Sequence, residues 1–113
     1  MAIDKGMLSG SLGLMILHLL DEADMYGYQI VKELAARSEQ AFEMKEGTLY
    51  PLLHTMEREG WVEAYSVQGD NGRTRKYYRL TEGGRGILET KRAEWQYFTR
   101  SVNKVIGGEA LAN

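Results

Sequence analysis

Apolar positions in the first half of the chain follow three different patterns. Between about Met7 and Leu20, the residues Leu8, Leu12, Leu14, Met15, Ile16, Leu17, Leu19 and Leu20 cover nearly the whole circumference of a helix. A helix apolar all round needs partners on two sides, and in so short a chain a second copy can supply one of them. From about Tyr26 to Arg37 the pattern is one-sided: Tyr26, Ile30 and Leu34 share a row, with Val31 and Ala35 beside them. After a loop near Ser38 to Lys45, Leu49, Leu52, Leu53 and Met56 form the stripe of a third, core-facing helix, which Gly60 ends. Pro51, the single proline, fits only a first turn or a kink, so this helix is predicted to begin near Gly47 or Thr48.

Aromatic and β-branched residues dominate Trp61 to Val67 and Arg75 to Leu80, and Gly69-Asp70-Asn71-Gly72 separates the two runs, which predicts a β-hairpin. Thr81 reads as the N-cap of a last helix. Gly83, Gly84 and Gly86 each weaken its start by about 1 kcal/mol relative to alanine, so the helix is expected to firm up only after Ile87. Further on, Leu88, Trp95, Phe98, Val102 and Val105 make a coiled-coil-like seam that wants a partner. Three helices, a hairpin and a final helix describe a mainly α, α+β fold: a winged helix-turn-helix with a two-stranded wing, whose third helix can enter a major groove.

Composition narrows the chemistry. With 113 residues the chain makes one compact domain, and its lack of cysteine excludes disulfides, thiolate metal sites and thiol catalysis and suits a reducing cytoplasm. The apolar run from Leu12 to Leu20 is broken by Gly13 and His18 and falls short of the roughly 20 residues of a membrane span. Asp21, Glu22 and Asp24 follow it where a signal peptide would be cut, so an unprocessed, cytoplasmic protein without a membrane partner is expected. The net charge is -2, yet Arg73, Arg75, Lys76 and Arg79 fall within seven residues that hold no acid. That window carries +4 and leaves -6 on the rest, and local charge decides where a polyanion docks.

Several residues admit two readings. With its stripe buried, the third helix presents Thr48, Tyr50, Pro51, His54, Thr55 and Arg58, groups suited to phosphates and base edges or to a plain solvated face that Glu46, Glu57 and Glu59 make less attractive to DNA. The basic hairpin residues can reach a DNA backbone, or they can guard a sheet edge against aggregation. Trp95 is either packing within the seam or, across a two-fold axis, one wall of a cleft for a flat apolar ligand. His18 reads as a core or interface histidine. Neither histidine has a second ligand at helical spacing, no phosphate-binding GxxxxGK[ST] occurs, and no catalytic constellation emerges, so an enzyme, a metal site and a cofactor are not expected.

The strings Met25-Tyr26-Gly27-Tyr28-Gln29-Ile30, Glu46-Gly47-Thr48-Leu49-Tyr50-Pro51-Leu52-Leu53, Glu59-Gly60-Trp61-Val62 and Arg75-Lys76-Tyr77-Tyr78-Arg79-Leu80-Thr81-Glu82-Gly83-Gly84 closely resemble the PadR family of bacterial transcriptional regulators, over nearly the whole chain. The short C-terminal region looks like the compact subfamily, with one dimerisation helix. The resemblance implies a homodimeric repressor that binds a palindromic double-stranded operator and leaves it when a small aromatic or lipophilic effector binds. It implies a DNA-binding unit over residues 1–81 and a dimerisation helix over 82–113. It further implies that Thr48, Tyr50 and His54 occupy the recognition helix, that Arg73, Arg75 and Lys76 occupy the wing, and that Tyr28 approaches a phosphate. Trp95, with Met7 and Leu14, matches the inter-subunit pore of multidrug-sensing members, although Arg92 stands where such sensors have an aromatic. A small-molecule sensor and a protein-interaction adaptor on the same scaffold are the rival readings.

Overall fold

A computed structural model describes residues 2–108. Helix α1 spans Lys5–Glu22 and is capped by Asp4, whose carboxylate accepts from the Gly6 and Met7 N–H groups at 3.0 and 3.2 Å. It is the central element: Leu12, Ile16, Leu17, Leu19 and Leu20 are buried, and it packs on α2 (Gly27–Arg37), on strand β3 (Thr74–Leu80) and on α4 (Glu82–Ile106). All-round apolarity is thus satisfied largely within one chain.

Between α1 and α2 lies a strand that the residue pattern did not predict. β1, Met25–Tyr26, pairs antiparallel with β3, so that Met25 faces Tyr78 and Tyr26 faces Tyr77. The expected hairpin, β2 (Val62–Gln68) with β3, therefore belongs to a three-stranded sheet of order β1-β3-β2. Tyr26 ends this strand and is not part of the helix, which starts at Gly27.

α3 runs over Glu46–Arg58 with Leu49, Leu53 and Met56 buried. It starts a residue or two before the predicted point, which puts Pro51 in the second turn; the bond it cannot make would reach Gly47, an exposed residue near the helix end. The helix closes as expected at Gly60, whose φ is +80°. The Gly60 N–H donates to Glu57 O at 3.0 Å and the Trp61 N–H to Met56 O at 2.9 Å, the paired bonds of a Schellman stop.

α4 begins at Glu82, five residues before the point the glycines suggested. Thr81 Oγ1 accepts from the Gly84 N–H at 2.9 Å and shares its own hydrogen between the Gly60 and Trp61 carbonyls, at 2.7 and 3.0 Å. The glycine at 84 has a positive reason to be there. A Cβ would stand 2.6 Å from Leu80 Cδ1 and 3.0 Å from the Trp61 carbonyl carbon, and nearer still to its oxygen. Of the predicted seam only Leu88 joins the core. Past Trp95 the helix is uncovered: Tyr97 and Ile106 are 72% exposed and Val105 86%. Residues 109–113, the end of the expected dimerisation region, lie outside the described residues.

Candidate nucleic-acid interface

At 100° per residue, the buried stripe of α3 sets its opposite face as Gly47, Pro51, His54 and Arg58, all exposed. Thr48 and Tyr50 flank that face on opposite sides. Thr48 is exposed, whereas Tyr50 is half-buried because α2 covers its side. Its phenol lies on Gly27, where a Cβ would come within 2.6 Å of Cζ and 2.9 Å of Cε1, so the first residue of α2 must be glycine for the two helices to meet. Burial, with the Glu46 carboxylate as a second cause, pushes the Tyr50 phenol up. Tyr50 can therefore set the angle of α3 as well as contact a ligand. Tyr28, the second residue of α2, is exposed, with Lys32 Nζ 5.6 Å from its ring centre one turn on. A cation and the positive end of a helix dipole beside a phenol suit a phosphate.

The wing carries its charges on two faces. Strand alternation sends Lys76, Tyr78 and Leu80 one way, towards the body, and Arg75, Tyr77 and Arg79 the other. Lys76 Nζ stands 3.9 Å from Glu57 of α3. Tyr78 is wholly buried beside it; burial first, and Glu57 second, pushes its phenol up, and its hydroxyl has no hydrogen-bond partner among the described residues. On the other face, aromatic rings and guanidinium groups form a row. Arg75 lies over Tyr26 at 4.6 Å, Tyr26 meets the edge of Tyr77 at 5.4 Å, Tyr77 stacks on Tyr65 at 5.8 Å, and Arg79 lies over Tyr65 at 5.3 Å. Arg79 also pairs with Glu63 at 2.8 Å, and Tyr65 donates to Asp24 at 2.6 Å.

Two of the four cations are thus tied to carboxylates. Arg73 and Arg75, at and next to the Gly69 to Arg73 tip, have no acidic partner among the described residues. The tip turns through Gly72, with φ +79°, and is held by Gly69 N–H to Arg73 O at 2.6 Å and Arg73 N–H to Asn71 Oδ1 at 3.1 Å. The tyrosine row escaped the sequence reading: a two-residue alternation from Arg75 to Leu80 contains Arg75, Tyr77 and Arg79, but Tyr26 and Tyr65 join them only through strand pairing.

A separate feature lies between the start of α1 and the middle of α4. Met7, Leu14 and Trp95 line one cleft of about 580 Å³, together with Asp4, Glu94 and Phe98. Arg92, a turn before Trp95, is not among its walls. Its guanidinium turns to His18 Nδ1, 2.7 Å away, and lines a different cleft. Among the described residues no helix is long and apolar enough to cross a membrane, and no cluster of three metal-ligating side chains occurs.

Comparison with known proteins gives a family model, curated relatives and solved structures that agree on a transcriptional regulator. Residues 16–90 match the model of the transcriptional regulator PadR-like family. An uncharacterized protein of Lysinibacillus sphaericus is 38% identical over 82% of this chain and 85% of its own, and the transcriptional regulator Rv3488 of Mycobacterium tuberculosis is 33% identical over 84% and 82%. The structure of a transcriptional regulator from Clostridium thermocellum superimposes with a TM-score of 0.84 at 31% identity, covering 91% of this chain and 97% of that one. A PadR-like regulator from Bacillus cereus gives 0.79 at 31% identity, over 92% and 99%.

Proposed function

The chain belongs to the PadR-like family of transcriptional regulators, DNA-binding proteins and not enzymes, and from that premise we propose that it is a cytoplasmic homodimeric repressor of a palindromic operator. Residues 1–81 form the DNA-binding unit, and residues 82–113 pair two copies. The outward face of α3 enters the major groove with Thr48 and His54 reading base edges, and Tyr50 holds the helix at its angle while its edge meets the duplex. Arg73 and Arg75 reach the backbone at the wing, Lys76 adds to them when Glu57 releases it, and Tyr28 approaches a phosphate. The observation that carries this reading is the uncovered arc of α3 beside a wing tip whose two arginines have no acidic partner among the described residues.

The exposed apolar end of α4 supports the dimer. Two recognition helices must lie about 34 to 36 Å apart to meet successive grooves, and paired α4 helices would set that distance. The cleft of Met7, Leu14 and Trp95 lies between the two helices that would govern the spacing, and it suits a small aromatic or lipophilic effector. Such an effector must favour the non-binding arrangement, by about 1 to 3 kcal/mol for a useful switch, since equal affinity for both arrangements shifts nothing.

The test begins with selection of an operator from random duplexes. Thr48→Ala and His54→Ala are expected to lower the ratio of operator to scrambled-duplex affinity. Arg73→Ala and Arg75→Ala should weaken both duplexes alike and reduce the log-log salt slope by about 0.9 for each phosphate that is no longer neutralised. Unchanged affinities at low salt, or sedimentation of a single chain at micromolar concentration, would overturn the reading.

A further inference from the structure

The cleft into which Arg92 turns adjoins that of Trp95, with Leu14 as the wall they share. It lies between α1, α2 and α4, encloses about 360 Å³, and has an apolar floor of Leu14, Met15, Leu19, Leu34 and Phe42. A chain of polar side chains crosses its rim. Arg92 Nη2 donates to His18 Nδ1 at 2.7 Å. Arginine can only donate, so Nδ1 is the acceptor in that bond, and the other ring nitrogen, Nε2, stands 3.1 Å from Glu22 Oε2. The other Glu22 oxygen meets Arg37 at 2.6 Å, and Arg37 also meets Glu33 at 3.0 Å.

Charge is unevenly matched along this chain. Arg37 faces two carboxylates, whereas Arg92, half-buried, has only the His18 imidazole and no carboxylate within 4.0 Å among the described residues. Its remaining N–H groups stand over an apolar floor, where a charge-assisted bond is worth roughly twice a neutral one. Glu33, on the same rim, and Glu22, behind His18 and Arg37, disfavour a second negative charge on any occupant.

We propose that this cleft is a binding site for a monoanionic amphiphile, an unbranched medium-chain carboxylic acid, with the carboxylate on Arg92 and the alkyl chain along Leu14, Leu19, Leu34 and Phe42. His18 acts here as a positioning residue: by accepting one N–H of Arg92 it aims the other guanidinium edge at the cleft. The site needs no DNA, so its test is independent of operator binding.

The probes are octanoate and the uncharged octanol, titrated calorimetrically into the DNA-free protein. Octanoate is expected to bind wild type at least tenfold more tightly than octanol. Arg92→Gln should abolish that preference while leaving octanol affinity within about twofold, whereas Trp95→Ala should leave the preference intact. Arg92→Lys, which keeps the charge, should retain part of it, and this guards against a mere folding defect in the glutamine variant. Equal affinity for acid and alcohol, or a preference that survives Arg92→Gln, would overturn the proposal. So would a preference lost with Trp95→Ala, which would assign the acid to the other cleft. Octanoate that fails to bind at millimolar concentration, as when a second copy covers the cleft, would overturn it equally.

Discussion

Replacing Gly84 by alanine tests the joint between the wing and α4, and Gly86→Ala is its internal control. Both glycines lie in the first two turns of α4, and propensity alone expects each substitution to stabilise the helix by up to about 1 kcal/mol. The surroundings reverse one of them. A methyl at 84 meets Leu80 Cδ1 at 2.6 Å and the backbone of Trp61 at 3.0 Å. Leu80 can swing aside, but the carbonyl is fixed: its oxygen accepts from the Thr81 N–H at 3.0 Å, and the amide of the same residue is held by Met56 O at 2.9 Å. Overpacking against a restrained neighbour costs about 1 to 3 kcal/mol, and the upper part of that range applies where backbone must yield. After the helix gain is subtracted, Gly84→Ala should lose about 1 to 2 kcal/mol. A Cβ at 86 meets nothing within 4 Å, so Gly86→Ala should gain about 0.5 to 1 kcal/mol. One kcal/mol moves the Tm of a domain this size by roughly 4 to 8 °C, so the two variants should melt about 10 °C apart, on opposite sides of wild type. Circular dichroism melts at a fixed protein concentration, which the proposed dimer would make essential, give the readout. A Gly84→Ala protein as stable as Gly86→Ala would refute the packing account and restore the propensity reading.

Three further outcomes are expected. Tyr78→Phe should be neutral or stabilising at neutral pH, because it removes a buried hydroxyl that has no partner among the described residues. Burial raises the Tyr78 phenol, so its share of stability is present below the ordinary phenol value and lost as pH rises from there through the raised one; the variant should resist alkaline unfolding better, and a loss of stability at neutral pH would contradict this. Glu22, held below the usual carboxylate value chiefly by its hydrogen bond from Arg37, favours the fold above its ordinary pKa, and that contribution disappears as pH falls through the lowered one. Glu22→Gln should therefore flatten the acid limb of Tm against pH, and superimposable limbs would rule the contribution out. Glu57→Gln should free Lys76 and tighten low-salt DNA binding, with a salt slope steeper by about 0.9; an unchanged slope in mobility shifts would mean that Lys76 touches no phosphate.

What the residue pattern revealed, and what it hid, divides according to the range of the interactions involved. Elements set by their own neighbours were legible: the stripe of Leu49, Leu53 and Met56, the Gly60 stop and the Thr81 cap all depend on bonds or faces within a few residues. β1 was not, because two residues cannot display a period, and Met25 and Tyr26 are strand only through their pairing with Tyr78 and Tyr77. The start of α4 was misplaced for a related reason. Propensity counts what glycine costs a helix in isolation, while Gly84 is required by the backbone of Trp61, more than twenty residues earlier.

The candidate interface shows the same division. Four cations within seven residues read as one patch when charge is summed along the chain, but a strand alternates its side chains. Lys76 therefore turns towards Glu57, while Arg75 and Arg79 join the tyrosine row, and Arg79 is further neutralised by Glu63. Among the described residues only Arg73 and Arg75 of the four remain without acids, and they sit at and beside the tip. A +4 window is thereby reduced to two free cations, which fits the proposed complex, in which the wing steadies the duplex while the α3 face supplies discrimination. Strong non-specific attraction from a larger patch would hold the protein on arbitrary DNA, whereas two wing arginines would, in the proposed complex, leave the choice of site to Thr48, His54 and the angle that Tyr50 sets against Gly27.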